Sequence, residues 1–134
     1  MSKKQHILVV DDDVQVVDTV STLLESVGYQ VSHAYRAEEG MALAKETTPD
    51  LILLDVLFAE TPYPDGFEVS RRISQDADLK GIPVIILSGV RKVLDVPYKI
   101  GPDETWMPVK AFLEKPIKPH ELIGEIEKVL GPRD

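Results

Sequence analysis

The stretch Ile7–Asp13 reads ILVVDDD: four apolar residues, three of them β-branched, run directly into three acids. Apolar residues at every position, rather than at every second one, describe a strand buried on both faces. Such strands belong to parallel sheets covered by helices on each side. The acids that follow would bring like charges together at one strand end, an arrangement that needs a chemical reason.

Two more unbroken runs share this form. Leu51–Leu54 (LILL) ends at Asp55, and Pro83–Leu87 (PVIIL) ends at Ser88. Helical spacing appears between the runs: Val16, Val17, Val20, Leu23, Leu24 and Val27 share one face, with Asp13 placed as N-cap and Gly28 as the stop. Weaker signals predict a strand over 29–34, a helix over 37–46 and another over 66–74. At the end of the chain, Ala111–Leu113 reads as a strand. Pro119–Leu130 reads as a helix with Leu122, Ile123, Ile126, Val129 and Leu130 on one face, closed by Gly131 and Pro132. Strand and helix alternating five times predict right-handed βαβ units and a doubly wound α/β sandwich with helices on both faces.

With 134 residues, 43% of them hydrophobic, the chain fits one domain over 1–134, its core running from about residue 5 to 131. No repeat or linker divides it. Absence of cysteine excludes disulfides and thiolate metal sites, and MSKKQ lacks the apolar stretch of a signal peptide. The expectation is a cytoplasmic protein with no membrane segment. Twenty-three acids against 15 Lys and Arg give a formal charge of −8, which opposes direct nucleic-acid binding and favours a cation or a basic partner.

In doubly wound folds, ligands bind beyond the carboxyl ends of the strands, where strand order reverses. Residues ending the apolar runs are therefore read together: Asp11, Asp12 and Asp13, then Asp55, Ser88, and Lys115 with Pro116. Several carboxylates gathered at a partly covered edge repel one another, and a hard divalent cation relieves this. Oxygen ligands without His or Cys point to Mg²⁺. His6, His33 and His120 are scattered without ligand spacing, and Trp106 and Met107 read as packing residues.

The ordered set of an acidic pair after strand one, Asp55 after strand three, Ser88 after strand four and Lys115–Pro116 after strand five resembles the receiver domain of two-component response regulators of the chemotaxis-regulator kind. The resemblance covers essentially the whole chain. It implies a flavodoxin-like five-stranded parallel sheet of order 2-1-3-4-5. Asp55 would be the phosphoacceptor. Asp12, Asp55 and the backbone carbonyl of Leu57 would bind Mg²⁺, and Asp11 would reach it through a metal-bound water. Ser88 and Lys115 would hold phosphoryl oxygens, and movement of Ser88 would open space for Phe112 as a switch.

Partners implied are a sensor histidine kinase or phosphotransfer protein and an unidentified downstream protein, with the domain a monomer or weak dimer and not an enzyme in its own right. The resemblance also places Leu57 and Val90 beside the path by which water reaches an acyl phosphate. Neither side chain can orient a water, so slow self-dephosphorylation is expected.

Departures from the family pattern concern the loops. VLFAETPYPDG after Asp55 is longer than usual, and the 90–110 segment is long, proline-rich and without a clean helical stripe. Two other functions share parts of this pattern. A haloacid dehalogenase-like phosphatase also uses an Asp nucleophile at a strand end but needs a second Asp two residues on, where this chain has Leu57. A non-phosphorylated receiver-fold scaffold has no need of the complete set of acids, Ser88 and Lys115. No output domain follows Leu130, so the expectation is a stand-alone receiver or one cut from a longer protein.

Overall fold

The computed structural model describes residues 5–55, 75–88, 109–114 and 116–131; within these spans the side chains of Ala37, Ser88, Val109, Lys110, Phe112 and Glu114 are not described. In chain order the elements are β1 (His6–Val10), α1 (Val14–Ser26), β2 (Gln30–Ala34), α2 (Ala37–Thr47), β3 (Leu51–Asp55), β4 (Val84–Ser88), β5 (Val109–Glu114) and α3 (Pro119–Leu130). The strands form one parallel sheet in the order β2-β1-β3-β4-β5. Strand order reverses at β1, with β2 on one side and β3 on the other.

Alternation along each strand divides the core in two. Leu8, Val10, Ile52, Leu54, Val84 and Ile86 point to the face covered by α2 through Ala44, with Met41 and Leu43 packed alongside. Ile7, Val9, Leu51, Leu53, Ile85 and Leu87 point to the opposite face, against Val17, Val20 and Leu24 of α1 and Leu122 and Ile126 of α3. Leu51 to Leu54 are at most 1% exposed, which is why this strand is apolar without interruption. The helices on both faces are those the apolar runs require.

Helix α1 begins and ends where the sequence directs. The Asp13 carboxylate accepts hydrogen bonds from the amides of Gln15 (2.9 Å) and Val16 (3.4 Å), satisfying donors that the first turn leaves without helical partners. At the other end Gly28 takes φ 104°, its N–H donates to the Glu25 carbonyl and that of Tyr29 to the Leu24 carbonyl. This pair of bonds closes the helix, with buried Tyr29 folded back on it. The strand expected over 29–34 accordingly starts one residue later, at Gln30.

Two boundaries depart further. β5 spans Val109–Glu114 rather than 111–113, because its register against β4 slips between Val84↔Val109 and Ile85↔Ala111. One extra residue, Lys110, is accommodated there, and a bulge of this kind breaks the alternation that sequence reading relies on. β3 and β4 each run one residue past their apolar runs and so include Asp55 and Ser88. The helix expected over 66–74 and the 90–110 segment lie outside the described residues, apart from Lys110 and Val109 in β5; Gln75 is helical.

Candidate functional site

Strand register brings the acids together. β1 and β3 pair as Ile7↔Leu51 through Val10↔Leu54, so the next step along the ladder sets Asp11 beside Asp55. Both follow residues that face α2, and the alternation therefore turns both carboxylates toward the α1 side of the sheet. Asp11 is fully buried and Asp55 only 3% exposed; they are the two buried charged residues among the described part of the core. Asp12 is half-buried. One carboxylate oxygen from each of Asp11, Asp12 and Asp55 lies within 4.8 Å of the others.

The turn behind these acids is fixed by its own hydrogen bonds. The Asp11 amide donates to the Ala34 carbonyl (3.1 Å), extending the β1–β2 ladder by one step. The Asp13 amide donates to Asp11 Oδ1 (2.9 Å), while the Asp13 side chain turns away to cap α1. Within the triplet, Asp13 is thus structural and the first two acids face the site. Sequence reading separated these roles but gave no hint that the Asp13 backbone holds the Asp11 carboxylate.

A divalent cation fits this set. Three carboxylates at such separation repel, the buried Asp11–Asp55 pair by about 3.5 kcal/mol at an effective dielectric near 20. All the donor atoms are hard oxygens, the preference of Mg²⁺.

The other expected site residues are described only in part. Ser88 ends β4, one residue beyond the Leu87 that pairs with Asp55, which places its backbone at the same edge; its side chain is outside the described part. Phe112 lies in β5 opposite Ile86, again known by its backbone. Leu57, Val90 and Lys115 fall outside the described residues. Next to the site, Asp13, Gln15, Val16, Thr19, Val20, Pro116 and Ile117 line a mainly apolar groove of about 260 Å³ between α1 and the turn that follows β5.

Comparison with known proteins fits this geometry. Residues 7–127 match the family model described as the response regulator receiver domain. The chain is 34% identical over 131 residues to the DNA-binding dual master transcriptional regulator RpaA of Synechocystis, covering 96% of this chain and 50% of that protein. It is 31% identical to Protein PilH of Pseudomonas aeruginosa, covering 94% of this chain and 98% of PilH. The chain thus spans about half the length of RpaA and the similar transcriptional regulators but nearly all of PilH. Among solved structures, chemotaxis protein CheY4 of Vibrio cholerae superposes with a TM-score of 0.78 at 25% identity, covering 96% of this chain and all of CheY4. A CheY-like receiver domain protein from Methanospirillum hungatei superposes with a TM-score of 0.74 at 25% identity, covering 94% and 93% of the two chains. With its buried acid pair, parallel sheet and matching sequence, the chain belongs to the response regulator receiver domain family of two-component systems.

Proposed function

We propose that Asp55 accepts a phosphoryl group from the phosphohistidine of a sensor histidine kinase or phosphotransfer protein in a Mg²⁺-dependent reaction, and that the domain then signals to a downstream protein by a change of conformation. The observation that carries this reading is the convergence of Asp11, Asp12 and Asp55 within 4.8 Å at the strand-order reversal, two of the three being buried. Buried like charges are tolerated where function needs them.

In the transfer an Asp55 carboxylate oxygen forms the new bond to phosphorus as the phosphorus–nitrogen bond of the donor breaks, and the imidazole nitrogen keeps the electron pair of that bond. A carboxylate nucleophile has no proton to give up and needs no general base, so positioning and charge neutralisation supply the catalysis. Asp12, Asp55 and the Leu57 carbonyl would hold Mg²⁺, with Asp11 in support through a bound water. When bound, the cation would neutralise phosphoryl oxygens and the surrounding acids. Ser88 and Lys115 are assigned to the transferred group, and Phe112 to the switch that follows.

The groove between α1 and the turn after β5, lined by Asp13 next in sequence to the site acids, offers a phosphodonor domain a place to dock. Receivers are signalling regulators rather than enzymes in the usual sense. The DNA-binding activity in the name of RpaA is not carried over, since this chain spans half of RpaA and bears a net charge of −8. Among the described residues no helix is long and apolar enough to cross a membrane.

The test is intact-mass measurement after incubation with acetyl phosphate and Mg²⁺. Wild type should gain one phosphoryl group, EDTA should prevent the gain, and Asp55→Asn should gain none. Equal labelling of wild type and Asp55→Asn would remove Asp55 from the role.

A further inference from the structure

We infer that Gly40, on α2, is a positioning residue for the acidic site, and that it acts through Val10. The inference rests on the Mg²⁺-dependent reading above. Glycine inside a helix costs about 1 kcal/mol relative to alanine, and Gly40 does not have the positive φ that would call for glycine. Its reason lies in packing. A Cβ built on Gly40 would stand 2.8 Å from Val10 Cγ2, 2.9 Å from Cγ1 and 3.4 Å from Cβ. At Gly28, Gly81, Gly124 and Gly131 the same Cβ would meet nothing within 4 Å.

Val10 has little freedom to yield. It is β-branched and stiff at χ1, 2% exposed, and its strand is paired to Ala34 on one side and Leu54 on the other. Gly40 is therefore where α2 comes down onto the last residue of β1. The very next residues are Asp11 and Asp12, and the Asp11 amide is bonded to the Ala34 carbonyl. The helix thus serves as a backstop for the turn that aims two of the three acids. Mg²⁺ demands near-ideal octahedral geometry, so a displacement of a few tenths of an ångström at the end of β1 is enough to disturb the site.

The experiment measures Mg²⁺ affinity by calorimetric titration beside unfolding in urea with EDTA, for wild type, Gly40→Ala, Val10→Ala, the double variant and Gly124→Ala. Gly40→Ala should weaken Mg²⁺ binding by about tenfold while still unfolding cooperatively. Adding Val10→Ala removes both crowding methyls and should restore affinity to within about twofold of wild type. Gly124→Ala, a glycine-to-alanine change in a helix with open space around it, should leave the affinity as it is.

A folded Gly40→Ala protein with wild-type Mg²⁺ affinity would reduce Gly40 to ordinary packing and overturn the inference. Failure of the double variant to recover would do the same. If Gly40→Ala does not fold, the comparison passes to Val10→Ala and the double variant: the methyl added at position 40 must tighten Mg²⁺ binding, and equal affinities would refute the coupling. Loss is also distinguishable at its source, because wild type that binds no Mg²⁺ would overturn the metal reading first and this inference with it.

Discussion

Asp11→Asn should make the protein more stable without Mg²⁺ and less able to gain stability from it. Asn has the shape of Asp and keeps an oxygen that can accept the Asp13 amide, so the change removes the charge while leaving that backbone bond possible. Two repulsions disappear, those with Asp55 and with Asp12. For the buried pair, oxygens within 4.8 Å repel by about 3.5 kcal/mol at an effective dielectric near 20; half-buried Asp12 sits closer to the water limit, where the same separation gives about 0.9 kcal/mol. Local hydrogen bonds and counterions offset part of this sum, and a net gain of about 2 kcal/mol is expected.

For a domain of 134 residues that is a rise in melting temperature of about 8 °C. The assay is urea and thermal unfolding in EDTA at neutral pH, repeated across a Mg²⁺ titration. Binding to the folded state alone adds about 2.7 kcal/mol at one hundred times the dissociation constant, so wild type should overtake the variant as Mg²⁺ rises. A variant no more stable than wild type in EDTA, or one stabilised equally by Mg²⁺, would show that the carboxylates do not form a repulsive metal cradle.

Asp13→Ala should lower stability by about 1 kcal/mol through loss of the α1 cap while leaving phosphorylation at Asp55 intact, since the backbone amide that holds Asp11 remains; denaturation and intact mass check the two halves. Burial depresses the His6 imidazole below the ordinary histidine value, and nearby Asp50 only partly opposes this. In the window between the folded value and about 6.5, the unfolded chain binds more protons, so stability rises with pH there and falls as pH drops through it. His6→Gln should flatten that slope, and parallel slopes for the two proteins in urea unfolding would refute the assignment. Leu57→Asn/Val90→Glu should shorten the lifetime of the phosphorylated protein, a change of about 1.4 kcal/mol in barrier appearing as tenfold faster decay. Decay no faster than wild type would remove water access at these positions as the control of lifetime.

Legibility of the fold in the sequence follows from burial. β1, β3 and β4 are covered on both faces, so their residues had to be apolar throughout and the runs mark them almost to the residue. β2, at the sheet edge, is exposed or half-buried except at Ala34, and the apolar Tyr29 before it extends the strand signal by one residue. In β5 the bulge at Lys110 and the charge of Glu114 interrupt the apolar signal, so the pattern marks only half of the strand. The acids were legible as a set because each ended an apolar run. Which of them would share a face was not, since that depends on inter-strand register, a long-range property. Gly40 is illegible in the sequence for a related reason: within a weak helical pattern a glycine reads as a mild breaker, and only the position of Val10 beneath it gives it a purpose.

The same register explains why the site can hold its charges so near one another. Carboxylates on mobile loops would separate and relax their repulsion into water. Asp55 instead ends a strand paired to β1 and β4, and Asp11 follows a strand paired to β2 and β3, with helices packed on both faces. Separating the acids would require breaking ladder hydrogen bonds and opening a core whose strand residues are almost wholly buried, which costs more than the few kcal/mol of repulsion. On the proposed Mg²⁺ reading the repulsion persists in the folded protein, and the stability given up at the acids would reappear as binding energy when a cation enters. Under this reasoning the sheet interior and the acidic edge are one device: weakening the β1–β3 core, for instance by Leu53→Ala, should lower Mg²⁺ affinity along with stability, because the acids would gain room to move apart.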